Sequence, residues 1–379
     1  MKVALRVLFR MENLNTVDGL SFIESLHTTV RSLEICSEII RVIGKDQTPR
    51  EILQKQIFNW SNKIENIYAG YRNLKGKLTK DQKPTTAFIH YVDFLNNINL
   101  ISKLNDNYRN TKYGMLLNYL NKEKDEMTFR LTKEEKLFYL LILFKIDSDG
   151  LLTALNLIIE PLPSQKKILE KFYNVFTNRL ETKLKYSNNF GKIEIEEKLR
   201  NISVNWNNIQ KYSEHIIPPR LEWLSSLELI NIKRNSSETG YSVTEKGREF
   251  YRQIPILENQ VNDLNTFWYN NHAITTFSNI IWDTDLVAWN KFHDSNKDNY
   301  FKIVLYKAVD IYGKDGAMRM SLNITLLFII LELIKNYKII IEFVEIEKML
   351  SPIFITEKFI FSLHKAARET ESYISIKIA

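Results

Sequence analysis

Glu134 with Lys136, and Glu196 with Lys198, form the Glu-x-Lys pattern of a metal-dependent nuclease, where a carboxylate and a lysine at a strand end hold a cation and orient water. Both pairs fall in charge-rich stretches of helical periodicity, so the sequence predicts solvated helix faces instead. Asp283 and Asp285, followed by His293 and Asp294, are the other acidic cluster with a histidine nearby and read as loop and cap residues. Gly313-Lys314-Asp315-Gly316 lacks the spacing of a phosphate-cradling loop. Cys36 is the single cysteine, which removes disulfide frameworks and four-cysteine zinc sites. It lies in the apolar stripe Leu33 to Ile40, where cysteine behaves as a small hydrophobe. No catalytic residue, no metal and no cofactor is expected from these patterns.

Recognition is the chemistry that the remaining residues suggest. Lys plus Arg number 52 against 45 Asp plus Glu, a formal charge of +7, which concentrates polyanions around a protein. At 379 residues, 44% apolar and 12% aromatic, the chain is long enough for two or three separate cores. Trp206 and Trp223 read as core anchors, whereas Trp268, Trp282 and Trp289 fall in a segment without an assignment. The opening MKVALRVLFRMENL does not read as a signal peptide. The longest apolar run, Ile324 to Ile334, is too short to span a bilayer and carries Glu332. No membrane contact is expected, and one cysteine suits a cytoplasmic location.

These residues need elements to carry them. Apolar residues recur at three- and four-residue steps from Leu20 to Ile43 and from Pro49 to Tyr71, predicting amphipathic helices, the second capped by Thr48 with Pro49 in its first turn. A basic connector, Asn73 to Lys80, leads to a short helix over 85–97. Leu100 to Leu104, the turn Asn105-Asp106-Asn107 and Tyr108 to Thr111 predict a β-hairpin. Helices follow over 134–146, 151–159 and 166–185. Trp206 to Glu214 reads as helix, Pro218-Pro219 as the start of another reaching Leu227, and Leu229 to Val243 as a second hairpin. Leu100-Ile101 … Tyr108-x-x-Thr111-x-x-Gly114 and Leu229-Ile230 … Tyr241-x-x-Thr244-x-x-Gly247 are the same string, an internal repeat. A weaker third echo runs through a helix over 324–336, a β segment over 338–341, residues 344–350, a helix over 356–368 and a strand over 373–378, with any hairpin truncated.

Helix, helix and a hairpin of this form resemble the winged-helix superfamily, in which a helix enters the DNA major groove and the hairpin wing lies on the backbone. The resemblance implies a mainly α fold with small β-hairpins: two to three tandem winged-helix modules on a helical scaffold. The expected divisions are 1–130, with the first module, 131–255, with the second, and 256–379, with a truncated third. Pro219 to Ile230 is similar to a recognition helix entering its first wing strand. On that pattern the expected DNA-binding residues are Arg220, Ser225, Lys233 and Arg234 in the second module. The first contributes Thr86, Asn97, Lys103 and Arg109, and the third Lys358, Lys365 and Arg368. Arginine suits guanine or phosphate, asparagine suits adenine, and wing cations suit the backbone.

The layout is also similar to the DNA-recognition part of type IIS restriction enzymes without the nuclease domain. It implies a double-stranded DNA-binding protein with a partner subunit, the recognition component of a bacterial restriction or phage-defence complex. Two alternatives stay open: a plasmid replication initiator or transcription regulator, and a protein-docking accessory subunit of a larger machine.

Overall fold

The stretch 20–32, assigned by periodicity to a first helix, is an irregular strap instead, and helix α1 (Leu33–Ile43) begins only where the Ser32 hydroxyl accepts the Ile35 N–H. Tertiary bonds overrule the periodicity, because carboxylates far along the chain take the strap's backbone N–H groups. The structure is a computed structural model. It describes residues 19–379 apart from 82, 123, 126–127, 160–163, 207, 235–238, 258–260, 283–285, 294, 314–317 and 366–371. The chain is mainly helical with small, mostly antiparallel sheets. Described residues up to Leu264 form one compact unit and Asn265–Ala379 a second. The sequence boundary at 130/131 falls inside the first unit, and that at 255/256 shortly before the division.

In the first unit, α1 is followed by β1 (Thr48–Pro49) and α2 (Arg50–Ile67), so Thr48 and Pro49 are strand rather than cap and first turn. A short hairpin, β2 (Thr79–Lys80) and β3 (Lys83–Pro84), leads into α3 (Ala87–Asn97), the hairpin β4 (Ile101–Leu104) and β5 (Asn107–Asn110), and α4 (Lys112–Leu120). Strand β1 pairs with β5, giving the order β1-β5-β4. Beyond α5 (Lys133–Ile146) the plan recurs with α6 (Ser148–Ile158), α7 (Gln165–Tyr186), α8 (Asn189–Asn205), α9 (Ile209–Ser226), the hairpin β6 (Ile230–Arg234) and β7 (Thr239–Val243), and α10 (Glu245–Gln253). Ser164, just before α7, bridges Gly240 of β7, which pairs with β6. It stands where β1 stands in the first copy, and α8 is the insertion. The small hairpin β8 (Ile256–Leu257) and β9 (Val261–Asn262) ends the unit.

The repeated string has the same physical role in both copies. Each long helix ends in a 6→1 and 5→2 pair of hydrogen bonds, Leu100 N to Leu95 O with Asn99 N to Asn96 O, and Leu229 N to Leu224 O with Glu228 N to Ser225 O. That is a Schellman cap, and its left-handed residues are Asn99 (φ 58°) and Glu228 (φ 63°). The threonine then latches the cap to the next helix. Thr111 Oγ1 donates toward Asn99 O (2.6 Å) and Thr244 Oγ1 toward Glu228 O (2.7 Å), while each hydroxyl accepts the N–H of Gly114 or Gly247. The glycine allows the close approach: a Cβ there would stand 2.1 Å from Leu100 O or 2.0 Å from Leu229 O. Gly114→Ala and Gly247→Ala should each destabilise the fold by about 1–3 kcal/mol in chemical denaturation. Gly240→Ala, where a Cβ would stand 3.9 Å from Lys233 O, serves as the control, and equal effects at the three sites would refute the latch.

Helix α9 starts at Ile209 and passes through Pro218 and Pro219, whereas the sequence placed a helix start there and a separate helix over 206–214. Proline at 218 cannot donate to the Glu214 carbonyl. Thr28 Oγ1 of the strap donates to that carbonyl instead (3.2 Å). The two copies pack through their long helices around the strap: Phe94 of α3 meets Trp223 of α9 at 4.9 Å, Trp223 Nε1 donates to Val30 O, and the buried Tyr91 hydroxyl accepts the N–H groups of Arg31 and Ser32.

Lys145 sits in the last turn of α5, a helix buried almost all round. Burial alone lowers its ammonium from 10.5 to about 7. Between those values the unfolded chain binds the proton more tightly, so stability should rise as pH climbs from 7 toward 10. Lys145→Met should add on the order of 3 kcal/mol at pH 6 and progressively less toward pH 10, read as the shift of the denaturation midpoint. A pH-independent gain would overturn the assignment.

The second unit contains α11 (Thr266–Ile281), β10 (Val287–Ala288), α12 (Lys297–Tyr312), β11 (Arg319–Ser321), α13 (Leu322–Tyr337), β12 (Ile339–Ile340), α14 (Phe343–Leu350), β13 (Ile353–Ile355), β14 (Phe359–His364) and β15 (Tyr373–Ile378). Helix α13 is buried along most of its length and β12 pairs in parallel with β10. The expected helix over 356–368 is a correction: Phe359–His364 is a central strand in the antiparallel order β11-β15-β14-β13. Phe361 pairs with Phe354 and Ile376, and Leu363 with Ile374, an alternation that fits a sheet with one covered face.

Candidate nucleic-acid interface

Helix α3 is built to show one side. Phe88, Tyr91, Val92 and Leu95 are buried, leaving Thr86, Ile89, His90, Asp93 and Asn97 toward the surface. Just before it, the β2–β3 hairpin is held down by Thr79, which is buried and donates to Glu65, and by Thr85, which donates to Lys77 O. Lys77 pairs with Glu65 at 2.8 Å, while Lys80 and Lys83 stand exposed on the hairpin. Beyond α3 the β4–β5 hairpin carries exposed Lys103 and Arg109, with Lys112 opening α4. Among the described residues, none of Lys80, Lys83, Lys103, Arg109 and Lys112 is in an ion pair.

The second copy is different. Arg220, expected at a DNA surface, is fully buried: its guanidinium grips Asp147 through two hydrogen bonds (2.8 and 2.6 Å), donates to the carbonyls of Ile216 and Ile23, and lies over the Phe22 ring. Pro218, Pro219, Leu221, Trp223 and Leu224 are buried with it, so this helix has no open groove-reading side near Arg220. Arg234 is exposed yet bidentate to Glu222 (2.7 and 2.6 Å). Ser225 is half-buried in the last turn, and Lys233 is exposed on β6. In the second unit, Lys358 lies over the Tyr306 ring at 5.4 Å and Lys365 pairs with Glu347. Both flank a strand rather than lining a helix. Arg368, Asp283, Asp285, Asp294 and the Lys314-Asp315-Gly316 stretch lie outside the described residues.

Sequence reasoning passed over the buried polar centre. Asp147 and Asp149 open α6, where Ile23 N donates to Asp147 (2.9 Å), Ser21 N to Asp149 (2.8 Å), and Arg179 and Lys183 of α7 also reach Asp149. Asp263 completes the set, 3.0 Å from Arg179. Burial raises the Asp147 carboxyl even beside Arg220; at Asp149 burial acts the same way, but Lys183, Arg179 and the Ser21 N–H hold the carboxyl below its ordinary value. Gly150 admits the guanidinium, since a Cβ would lie 2.2 Å from Arg220 Nε. The signal was present as Asp-Ser-Asp-Gly interrupting an apolar run. Lys198, expected on a solvated face, is also buried, paired with Glu24 at 3.0 Å and placed over Phe22 and Trp206.

The open side of α3 looks into a cleft of about 650 Å³. His27 of the strap stacks on His90 with ring centres 3.5 Å apart, and His215 of α9 stands 6.2 Å from His27. Burial, then His90, His215 and Lys75, lower the His27 imidazolium. No group of three or more His, Cys, Asp or Glu among the described residues is arranged to hold a metal ion, and no helix there is long and apolar enough to cross a membrane. Comparison with family models, curated proteins and solved structures yields no match.

Proposed function

We propose that the two repeats are winged-helix modules and that the chain binds double-stranded DNA through the first of them, with the second serving as its platform. The order helix, strand, helix, helix, hairpin, with the first strand beside the last, supports the module assignment. The observation that carries the DNA reading is the set of cations without an ion pair among the described residues on either side of α3: Lys80 and Lys83 before it, Lys103 and Arg109 on the wing after it. Lysine and arginine so placed hold phosphates and fix register without reading sequence. Asn97, on the open side of α3, is the expected base contact retained from the sequence, and Thr86 sits at its amino end. Arg220 and Arg234 are withdrawn from that role by Asp147 and Glu222.

Affinity for random duplex, measured by fluorescence anisotropy between 50 and 200 mM salt, tests this. Four phosphate contacts give a log–log slope near −3.6 and roughly a 100-fold loss across that range. Absence of binding at 50 mM salt, or binding indifferent to salt, would overturn it.

A protein partner is favoured by a separate observation. Helix α8 leaves Phe190 84%, Ile193 55% and Val204 63% exposed, and exposed apolar side chains grouped on one element suit a protein contact. On this reading the chain is the recognition subunit of a restriction or phage-defence complex whose chemistry resides in that partner.

A further inference from the structure

The geometry points to a nucleobase-binding pocket in the cleft between α3, α8, α9 and the strap. Its volume, about 650 Å³, lies within the roughly 300–1,000 Å³ of small-molecule sites. Three polar side chains that line it, Asp93 and Asn97 from α3 and Asn201 from α8, take part in no hydrogen bond or ion pair among the described residues. Two amides and a carboxylate offer both donors and acceptors, the complement of a base edge with its amino and carbonyl groups. His27, His90 and His215 bring ring nitrogens to the same lining, with His27 Nδ1 held 2.9 Å from Thr29 Oγ1. Tyr212, stacked on Trp206 at 5.2 Å, supplies aromatic surface in the same cleft.

Charge decides between ligand classes. Lys198, the one lysine lining the cleft among the described residues, is neutralised by Glu24, and Asp93 remains as an exposed carboxylate. Burial and the neighbouring imidazoles disfavour a charged His27. A free phosphate finds no surplus positive charge there, whereas a neutral, planar, hydrogen-bonding ring fits. A base reaches such a pocket either as a free nucleoside or as a nucleotide extruded from DNA. The free-nucleoside case does not rest on the duplex reading, so the two fail separately.

The full chain is titrated calorimetrically with adenosine, guanosine, cytidine and thymidine, with inorganic phosphate as competitor. In a second arm, a duplex carrying 2-aminopurine opposite a mismatch is titrated with the protein and its fluorescence followed. Saturable binding of a nucleoside, or a 2-aminopurine change beyond that of a matched duplex, is expected, with loss of at least tenfold in affinity for the double variant Asn97→Ala/Asn201→Ala and no competition by phosphate. The two arms tell the sources apart. The variant should melt with the parent, because neither amide takes part in a hydrogen bond or ion pair among the described residues. No response in either arm, binding that survives the double variant, or displacement by phosphate overturns the pocket.

Discussion

Arg220→Met should cost about 3–5 kcal/mol of unfolding free energy, the range for removing one partner of a buried ion pair. The loss arises less from the arginine's own bonds than from what remains. Asp147 would stay buried, with the Ile23 N–H as its remaining hydrogen bond among those described above, while the Ile216 and Ile23 carbonyls lose their donor. The double variant Asp147→Asn/Arg220→Met should recover part of the loss, since it removes the stranded charge as well. Denaturant titration of the three proteins measures both steps. A cost under about 1 kcal/mol, the range of exposed pairs, would mean that the guanidinium is solvated in solution. Duplex affinity of the Arg220→Met protein, measured where it is still folded, should equal the parent's, which separates this residue from the interface that its sequence position suggested.

The second large effect lies at the surface of the first copy. Replacing Lys80, Lys83, Lys103 and Arg109 together by alanine should remove about four units of salt slope and most duplex affinity at 50 mM salt, since each phosphate contact accounts for about one. Stability should barely move, because exposed cations without ion-pair partners contribute little to the fold. Arg234→Ala and Lys358→Ala provide the contrast: the first is held by Glu222 and the second lies over Tyr306, so neither should change the slope. If the quadruple variant kept the parent's slope while Lys358→Ala reduced it, the interface would belong to the second unit.

The sequence made visible what depends on local chemistry. Both hairpins of the repeat were legible because the turn residues, the threonine and the glycine act within about fifteen residues of chain, and the repeat could be found from those positions alone. The strap could not be found in this way. Leu20 to Ile43 has helical periodicity throughout, yet the first part is drawn straight by partners more than a hundred residues away, Asp147, Asp149 and Trp223. Arg220 was misplaced for the same reason: on a helix with leucines at 221, 224 and 227 it looks outward, and nothing nearby shows that Asp147 and the strap cover it. Phe359 to His364 was read as helix although Phe359, Phe361 and Leu363 alternate. There the short turn over 356–358 concealed a period of two. Of the proposed interface, Asn97, Lys103 and Arg109 were already expected from the sequence, while Lys80, Lys83 and the histidine cluster emerged only when the strap and both long helices were in place.

The tie between Thr28 and the proline-interrupted stretch of α9 has a bearing on how the chain comes into being. Two of the strap's anchors, the Trp223 indole and the Arg220 guanidinium, lie 193 and 197 residues downstream of the carbonyls they hold. At ribosomal speeds of about 5–20 residues per second, that segment waits roughly 10–40 s before its anchors have been synthesised. The first copy therefore emerges with the inner side of α3 uncovered, and a nascent chain halted before Trp223 should be the species most prone to chaperone capture. With α9 come Trp223, which meets both Phe94 of the first copy and the Val30 carbonyl of the strap, and Arg220, which holds the Ile23 carbonyl.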